Sequence, residues 1–314
     1  MRMKAIINGM SSVEVAVRVF PHLETEDFRM LSVIEVDLSR HRFVPERDIL
    51  RLSGLPEKEV KYRLEKLSEL GLIYRWVGSY VGYMLNTAGY DCLALNALVK
   101  AGTLDSLGKP FGVGKESDVY DALTQNGERV AVKFHRLGRT SFRQTRKLRG
   151  YVLDKRHTTW LYQSRLAAER EFEALKLVYP CGVSVPKPIA QNRHVVVMGM
   201  IEGDCLFRFS NLPDPESILD EILENIRLAY VKVGVIHGDL SEYNVILTPD
   251  WHVLIIDWPQ FVRSNNPSAE MLLRRDISNI VKFFRRKYGV AKNLNDVLER
   301  IKMPLKSGLS GLND

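Results

Sequence analysis

Two carboxylates and an amide fall within one stretch, VIHGDLSEYNVILTPDWHVLIIDWPQ: Asp239, Asn244 five residues later, and Asp257. The pattern predicts a loop after a helix that carries Asp239 and Asn244, then a hairpin returning to Asp257 at the end of a strand over 253–256. Such a hairpin brings the loop and the strand end to the same edge of a sheet. Asn244 and Asp257 are hard oxygen ligands suited to Mg2+, which takes one or two from the protein and the rest from phosphate and water. Asp239 then stands apart from the metal, where it can take or orient the proton of an attacking hydroxyl. His237 reads as a support of the loop through hydrogen bonds. Any one of these aspartates could be a turn residue; it is their order, and what precedes them, that points to phosphoryl transfer.

A nucleotide would need a cradle, and the segment KPFGVGKESDVYDALTQNGERVAVKFH reads as one: strand, glycine-rich turn, strand, Asn126-Gly127 hairpin, strand. Gly112 and Gly114 let a loop fold closely over an anion, with backbone N–H groups facing phosphate oxygens. Glu116 and Ser117 share this loop, and the Ser117 hydroxyl stands where a third glycine is common. Lys133 ends an apolar strand, a poor place for a charge without an anionic partner. The amphipathic helix SRLAAEREFEALKLV offers that partner in Glu171, with Glu169 as the alternative. VVVMGMIEGDC is an apolar strand running into a polar turn, a hinge at which the backbone near Met200 can meet an adenine edge.

Several classes are excluded by composition. The chain has 314 residues, 45% hydrophobic and 26% charged, enough for two soluble domains with cores of their own. No apolar run reaches the roughly 20 residues needed to span a bilayer, and no signal peptide is legible. Cys92, Cys181 and Cys205 lie far apart, so neither a disulfide framework nor a zinc site is expected, and a cytoplasmic setting is the default. There is no internal repeat. The net charge of +7 is concentrated: 136–156 holds eight Lys/Arg and one Asp, as much net charge as the whole chain. A loop of that length is expected to be functional or flexible, over about 136–160. It carries Thr140, Ser141 and Thr145 as candidate phosphate acceptors.

The first 90 residues read as helices closed by a hairpin. Apolar positions between Glu24 and Arg40 recur at helical spacing, and VPERDILRLSG and LPEKEVKYRLEKLSELG each start at a proline (Pro45, Pro56) and stop at a glycine (Gly54, Gly71). That is a helix-turn-helix candidate, and IYRWVGSYVGYML looks like its wing. Lys58, Lys61, Arg63 and Lys66 could meet phosphates, although four glutamates are interleaved with them and the region holds 13 basic against 12 acidic residues. The expected organisation is a winged-helix domain at 1–90, a linker helix and junction at 91–108, and a catalytic domain at 109–314, whose lobes divide near residue 200.

These motifs together resemble the RIO-type atypical protein kinases, in particular the Rio-two branch that carries an N-terminal winged helix. GVGKESDVY, AVKFH, HGDLSEYNVIL, IDWPQ and RRDISNIVKFF carry the resemblance, which extends over nearly the whole chain. It implies an α+β protein: a winged helix-turn-helix domain, then a two-lobed kinase-like domain lacking the activation segment and peptide-binding helices. It further implies ATP and Mg2+ (Mn2+ as a substitute), with Lys133 and Ser117 on the phosphates, Asp239 as the catalytic aspartate, and Asn244 and Asp257 on the metal. The family is associated with cytoplasmic maturation of the small ribosomal subunit and its RNA. The winged helix and the basic segment are then the candidate RNA contacts.

Departures from ordinary protein kinases sharpen the expectation. His237-Gly238-Asp239 replaces His-Arg-Asp, Trp258-Pro259 stands where Phe-Gly would be, and the 57 residues after Asp257 contain no Ala-Pro-Glu element. Without that peptide-binding region, ATP hydrolysis through a phosphorylated Asp257 is expected to compete with serine or threonine phosphorylation as the output. Two other readings remain: a small-molecule kinase of the aminoglycoside or choline type, which also uses His-Gly-Asp with Asn five further on, and a non-catalytic nucleic-acid-binding regulator.

Overall fold

A computed structural model describes residues 9–137 and 160–303. They divide into two compact units, one built on the chain up to Lys109 with Ala122–Glu128 and Trp160–Gln163 added, the other holding Pro110–Asp121, Arg129–Leu137 and the chain from Ser164.

In the first unit, helix α1 (Ser12–Val19) starts at a reciprocal cap: Ser11 Oγ accepts from the Glu14 amide and Glu14 Oε2 accepts from the Ser11 amide. Helix α2 (Thr25–Asp37) precedes a short strand β1 (Val44–Pro45) and the helix pair α3 (Glu46–Ser53) and α4 (Glu57–Glu69). Pro45 and Pro56 lie one residue before the helices they were expected to start, with extended ψ of 139° and 146°. Gly54 ends α3 at φ 64°, the left-handed conformation that costs a glycine least. Strands β2 (Ile73–Val77) and β3 (Val81–Leu85) form the wing, and β1 adds to it in the order β1-β3-β2. That third strand is only two residues long, too short to leave an alternating pattern. Helix α5 (Thr87–Lys100) closes the unit, its Asn86 side chain accepting from the Gly89 amide.

Two of the charges expected on the surface of α4, Arg63 and Lys66, are spent inside this unit, while Lys61 pairs on the surface. Arg63 is 6% exposed and reaches Glu24 at 2.7 Å, Asp27 at 3.2 Å and Glu59 at 2.7 Å. Lys66 meets Asp27 at 2.6 Å and Lys61 meets Glu57 at 2.5 Å. A buried guanidinium is tolerable only when each fork is matched by a carboxylate. Arg63 therefore fastens α4 to α2 and is not presented to a phosphate.

A five-stranded sheet, most of whose residues belong to the second unit, has the order β4-β5-β6-β8-β7, from β4 (Ser106–Val113), β5 (Ser117–Leu123), β6 (Arg129–His135), β7 (Pro188–Asn192) and β8 (Val195–Gly199). Every residue of β6 after Arg129 is buried, as a central strand covered on both faces requires. Helix α6 (Trp160–Val178) buries Ala167, Ala168, Glu171, Ala174, Leu175 and Val178, one stripe of helical period. Beyond β8 come β9 (Asp204–Cys205), α7 (Pro215–Leu228), β10 (Val235–Ile236), β11 (Val245–Leu247), β12 (Val253–Ile255), β13 (Val262–Arg263), α8 (Ala269–Tyr288) and α9 (Leu294–Lys302). Their core joins α7, α8 and α9 to the short strands, with Trp258 2% exposed beneath β12. Among the described residues no helix is long and apolar enough to cross a membrane.

Candidate active site

Side chains on a strand alternate between faces, so Lys133 and His135 of β6 point the same way. Both reach Glu171. Lys133 Nζ donates to Glu171 Oε1 at 2.7 Å, and His135 Nε2 lies 2.7 Å from Oε2, so each carboxylate oxygen has its own partner. Lys133 also donates to Asp257 Oδ1 at 2.7 Å. Glu171 is thus the helical partner; Glu169, the alternative, is turned outward to Arg165 at 2.8 Å. Burial alone would raise the Glu171 carboxyl, but the Lys133 ammonium and the His135 hydrogen bond outweigh it and take it to about 2. Burial likewise works against the Lys133 charge, and the Asp257 and Glu171 carboxylates reverse the effect, holding the ammonium above its ordinary range.

The loop that carries Asp239 and Asn244 hangs between β10 and β11. Strands β11 and β12 pair antiparallel with Val245 opposite Ile255, and one step outside them the Ile256 amide donates to the Asn244 carbonyl at 3.0 Å. This register places Asn244 beside the residue before Asp257, so the expected hairpin does bring the loop to the strand end. The Asn244 side-chain nitrogen donates to the Asp239 carbonyl at 2.9 Å, which leaves the amide oxygen as the end suited to a dication. Asp257 follows Ile256 directly, so Asn244 and Asp257 offer hard oxygens from neighbouring positions, a donor set that fits Mg2+ completed by phosphate oxygens and water. Asp257 has φ 67°, a left-handed residue without the glycine exemption; such strain gathers at functional positions.

Gly238 explains the missing arginine of His-Arg-Asp. Its φ is 78°, and a Cβ there would stand 2.6 Å from the Gln260 carbonyl oxygen. The loop can run this close to the segment after Asp257 only without a side chain. His237 Nε2 donates to the Ile256 carbonyl at 3.0 Å, and Nδ1 accepts from the Asp239 amide at 3.3 Å. Those two bonds define one neutral tautomer, and burial lowers the pKa of the ring accordingly. Trp258 packs on it at 4.6 Å between ring centroids and donates its indole N–H to the Ile255 carbonyl. The larger ring that replaces phenylalanine here is therefore accommodated with its polar atom satisfied.

Some contributors leave a weaker trace in the sequence. Asp276 of α8 accepts from the Gly238 amide at 2.7 Å and the Leu240 amide at 3.1 Å, while Asn279 donates to the Leu240 carbonyl at 3.1 Å. An aspartate set in the apolar stripe of Leu273, Ile277 and Ile280 is the available signal. Arg275 donates to the Gly238 carbonyl. Arg170, next to Glu171, donates to the carbonyls of Pro259, at 3.1 Å, and Phe261, tying α6 to the segment after Asp257.

At the glycine-rich turn, the Gly114 amide closes onto the Ser117 carbonyl at 2.8 Å. That N–H is spent inside the turn and does not face outward as expected. Lys115 and Glu116 occupy the exposed tip, and the Glu116 carbonyl accepts from the Arg136 amide at 2.6 Å. Gly112 lies over Val119, whose side chain a Cβ would meet at 3.6 Å. Met200, just past β8, packs with Val119, Phe172 and Ile201 on the cluster of Ala131, Ala168, Val196 and Met198, an apolar wall beside the hinge. Arg136, counted with the basic segment, is 2% exposed and paired with Asp118 at 3.1 Å, a structural cation. The segment from Gly138 onward, including Thr140, Ser141 and Thr145, lies outside the described residues.

A strand lysine paired to a helical glutamate, a loop bearing aspartate and asparagine, and a strand-end aspartate on one sheet edge define an ATP-dependent phosphotransferase of the protein-kinase class. The model of the RIO domain matches residues 118–297, and that of the Rio2 N-terminal domain matches residues 20–101. The chain belongs to the Rio2 kinases of the RIO family. It is 45% identical over 260 residues to the RIO-type serine/threonine-protein kinase Rio2 of Methanocaldococcus jannaschii, covering 81% of this chain and 94% of the relative. The serine/threonine-protein kinase rio2 of Schizosaccharomyces pombe is 36% identical over 289 residues, covering 91% of this chain and 84% of the relative. The Rio2 kinase–ADP/Mg2+–phosphoaspartate complex from Chaetomium thermophilum superposes with a TM-score of 0.78 at 33% identity, over 93% of this chain and 90% of that one. The protein is a serine/threonine-protein kinase that uses ATP with Mg2+.

Proposed function

We propose that Lys133 and Ser117 contact the ATP phosphates under the Gly112–Ser117 turn, that the adenine lies on the apolar wall at Met200, and that Asn244 and Asp257 hold Mg2+. Bound there, Mg2+ would offset negative charge on the phosphate oxygens. Asp239, exposed at the loop, orients the attacking hydroxyl and takes its proton. Glu171 touches no nucleotide in this reading; it positions Lys133.

The reading extends to turnover through Asp257. A carboxylate oxygen of Asp257 bonds to the γ-phosphorus while the bond from that phosphorus to its bridging oxygen breaks, and ADP leaves. Water then attacks the acyl phosphate, its proton passes to Asp239, and inorganic phosphate is released with the carboxylate restored. The observation that carries this is the placement of Asp257: strained backbone, a side chain 42% exposed, and one oxygen held by Lys133 at 2.7 Å. The phosphoaspartate named in the Chaetomium thermophilum complex supports it. Trapping the protein with labelled ATP and treating it with hydroxylamine is the test. Acyl phosphate is cleaved; label that survives entirely and maps to serine or threonine would refute the cycle.

By its family, the enzyme serves maturation of the small ribosomal subunit and its RNA in the cytoplasm. The charge concentrated in 136–156 supports RNA contact. So does the wing, which exposes Tyr74, Trp76 and Tyr80 and stacks Phe43 on Trp76 at 5.6 Å, a surface able to take bases. Neutralising the basic residues from Arg139 to Arg156 should flatten the log–log salt dependence of RNA binding by roughly 0.7–0.9 for each phosphate that is no longer neutralised. An unchanged slope would remove this segment from the RNA interface.

A further inference from the structure

The end of α2 and the start of α3 bring together three side chains for which the phosphotransfer chemistry has no use. Asp37 is the last residue of α2, and the Arg40 and His41 amides both donate to its carbonyl, so the chain makes one more turn and returns His41 to Asp37. Asp48 lies in the first turn of α3. His41 Nε2 stands 3.8 Å from Asp37 Oδ2 and 3.8 Å from Asp48 Oδ2, and one ligand atom from each residue lies within 4.8 Å of the other two.

Two features separate this triad from a surface salt bridge. Asp37 is 3% exposed, and its Oδ2 is buried without a hydrogen-bond partner. Buried carboxylate oxygens are nearly always satisfied, so one left open toward an imidazole is suited to a cation. The distances are also wrong for hydrogen bonds, which close to about 3 Å. They approach the spacing of ligands around one ion: atoms about 2.1 Å from a tetrahedral metal lie roughly 3.4 Å apart. The Asp48 carboxylate is already oriented, since Arg51 holds Oδ1 at 3.2 Å and leaves Oδ2 toward His41. Arg47 lies 3.9 Å from that Oδ2, and Arg40, 74% exposed, lies 4.0 Å from Asp37 Oδ1; both can swing away.

We propose that Asp37, His41 and Asp48 form a binding site for a first-row transition dication of the Zn2+ type, with water completing the shell on the open side of His41. One imidazole with two carboxylates suits such borderline ions, whereas Mg2+ takes oxygen and avoids imidazole. The site is therefore chemically distinct from the oxygen pair at Asn244 and Asp257. A metal here would pin the end of α2 to the first helix of the helix-turn-helix and so brace the wing domain.

Co2+ titration of the chelator-treated full chain tests this, in excess Mg2+ and without nucleotide, followed by visible d–d absorption. One equivalent should bind and be displaced by Zn2+, and the melting temperature of the first unit should rise. His41→Gln, at a side chain 37% exposed, should weaken Co2+ binding at least tenfold while leaving phosphoryl transfer unchanged. Asp37→Asn should do the same. Absence of Co2+ absorption, or equal binding by His41→Gln, would overturn the proposal and leave the triad as an imidazole lying between two carboxylates.

Discussion

Lys133 and Asp257, 124 residues apart, are joined by a 2.7 Å ion pair, and the same ammonium is bonded to Glu171. One side chain thus sets the central strand, the long helix and the end of β12 against one another. That arrangement gives Lys133 a structural role beside its proposed place on the phosphates.

Lys133→Met should accordingly do two things at once. It strands the Glu171 carboxylate, 2% exposed, with only His135 as a partner, and breaking a buried pair costs about 3 kcal/mol. It should also slow phosphoryl transfer at least 100-fold by removing a preorganised positive charge. Urea denaturation and ATP turnover measure the two effects, and parent-like stability would contradict the structural half.

Asp239→Ala separates proton handling from binding. Turnover should fall by roughly 10²–10⁴-fold with nucleotide affinity nearly unchanged. Asp257→Ala should instead weaken nucleotide binding and its dependence on Mg2+. Titrating a fluorescent nucleotide at several Mg2+ concentrations distinguishes the two variants.

A methyl group at Gly238 tests the close approach of the loop to Gln260. Gly238→Ala places a Cβ 2.6 Å from a carbonyl oxygen at a φ of 78°. The left-handed conformation alone costs roughly 1–2 kcal/mol, and relief of the clash must move Asp239. A lowered melting temperature together with a lower kcat is expected; a variant changed in neither would show that the loop has room to spare.

The pH dependence of stability should carry the signature of Asp276. Burial pushes its carboxyl up to about 7, against the opposing pull of the Gly238 and Leu240 amides. A carboxyl raised on folding binds more protons folded than unfolded, so its contribution is full below about pH 4 and is lost as pH rises through about 7. The slope reaches roughly 1 kcal/mol per pH unit. Asp276→Asn should remove it, and taking the difference from the parent cancels buried His237, whose lowered pKa tilts stability the other way.

Much of the site is legible in the sequence because its residues punctuate strongly patterned segments. Lys133 interrupts an apolar strand, and Asp239, Asn244 and Asp257 flank a hairpin. Helix boundaries follow from Gly54 and Gly71. The partner of Lys133 can be narrowed only to two glutamates, since both lie on one helix and only packing shows that Glu171 shares the stripe of Ala167, Ala168 and Ala174. Long-range choices of this kind also hide Arg63, which a helical wheel places among surface charges and the structure spends on Glu24 and Asp27 at the start of α2 and Glu59 of α4. Arg136 misleads for the same reason: its neighbours in sequence are basic, but its neighbour in space is Asp118.

Helix α6 is fastened near its middle, through the adjacent residues Arg170 and Glu171. Lys133 and His135 grip Glu171 from the sheet, and Arg170 grips the backbone at Pro259 and Phe261. Ala167, Ala168 and Ala174 on the same face are fully buried. An on–off switch that works by swinging such a helix away from its lysine, or a drug that pries it outward, would have to break all of these bonds together. On the proposed reading, control would fall to what is allowed to reach Asp239 and Asp257: the bonded groups already stand together, and admission to them is what remains to be regulated.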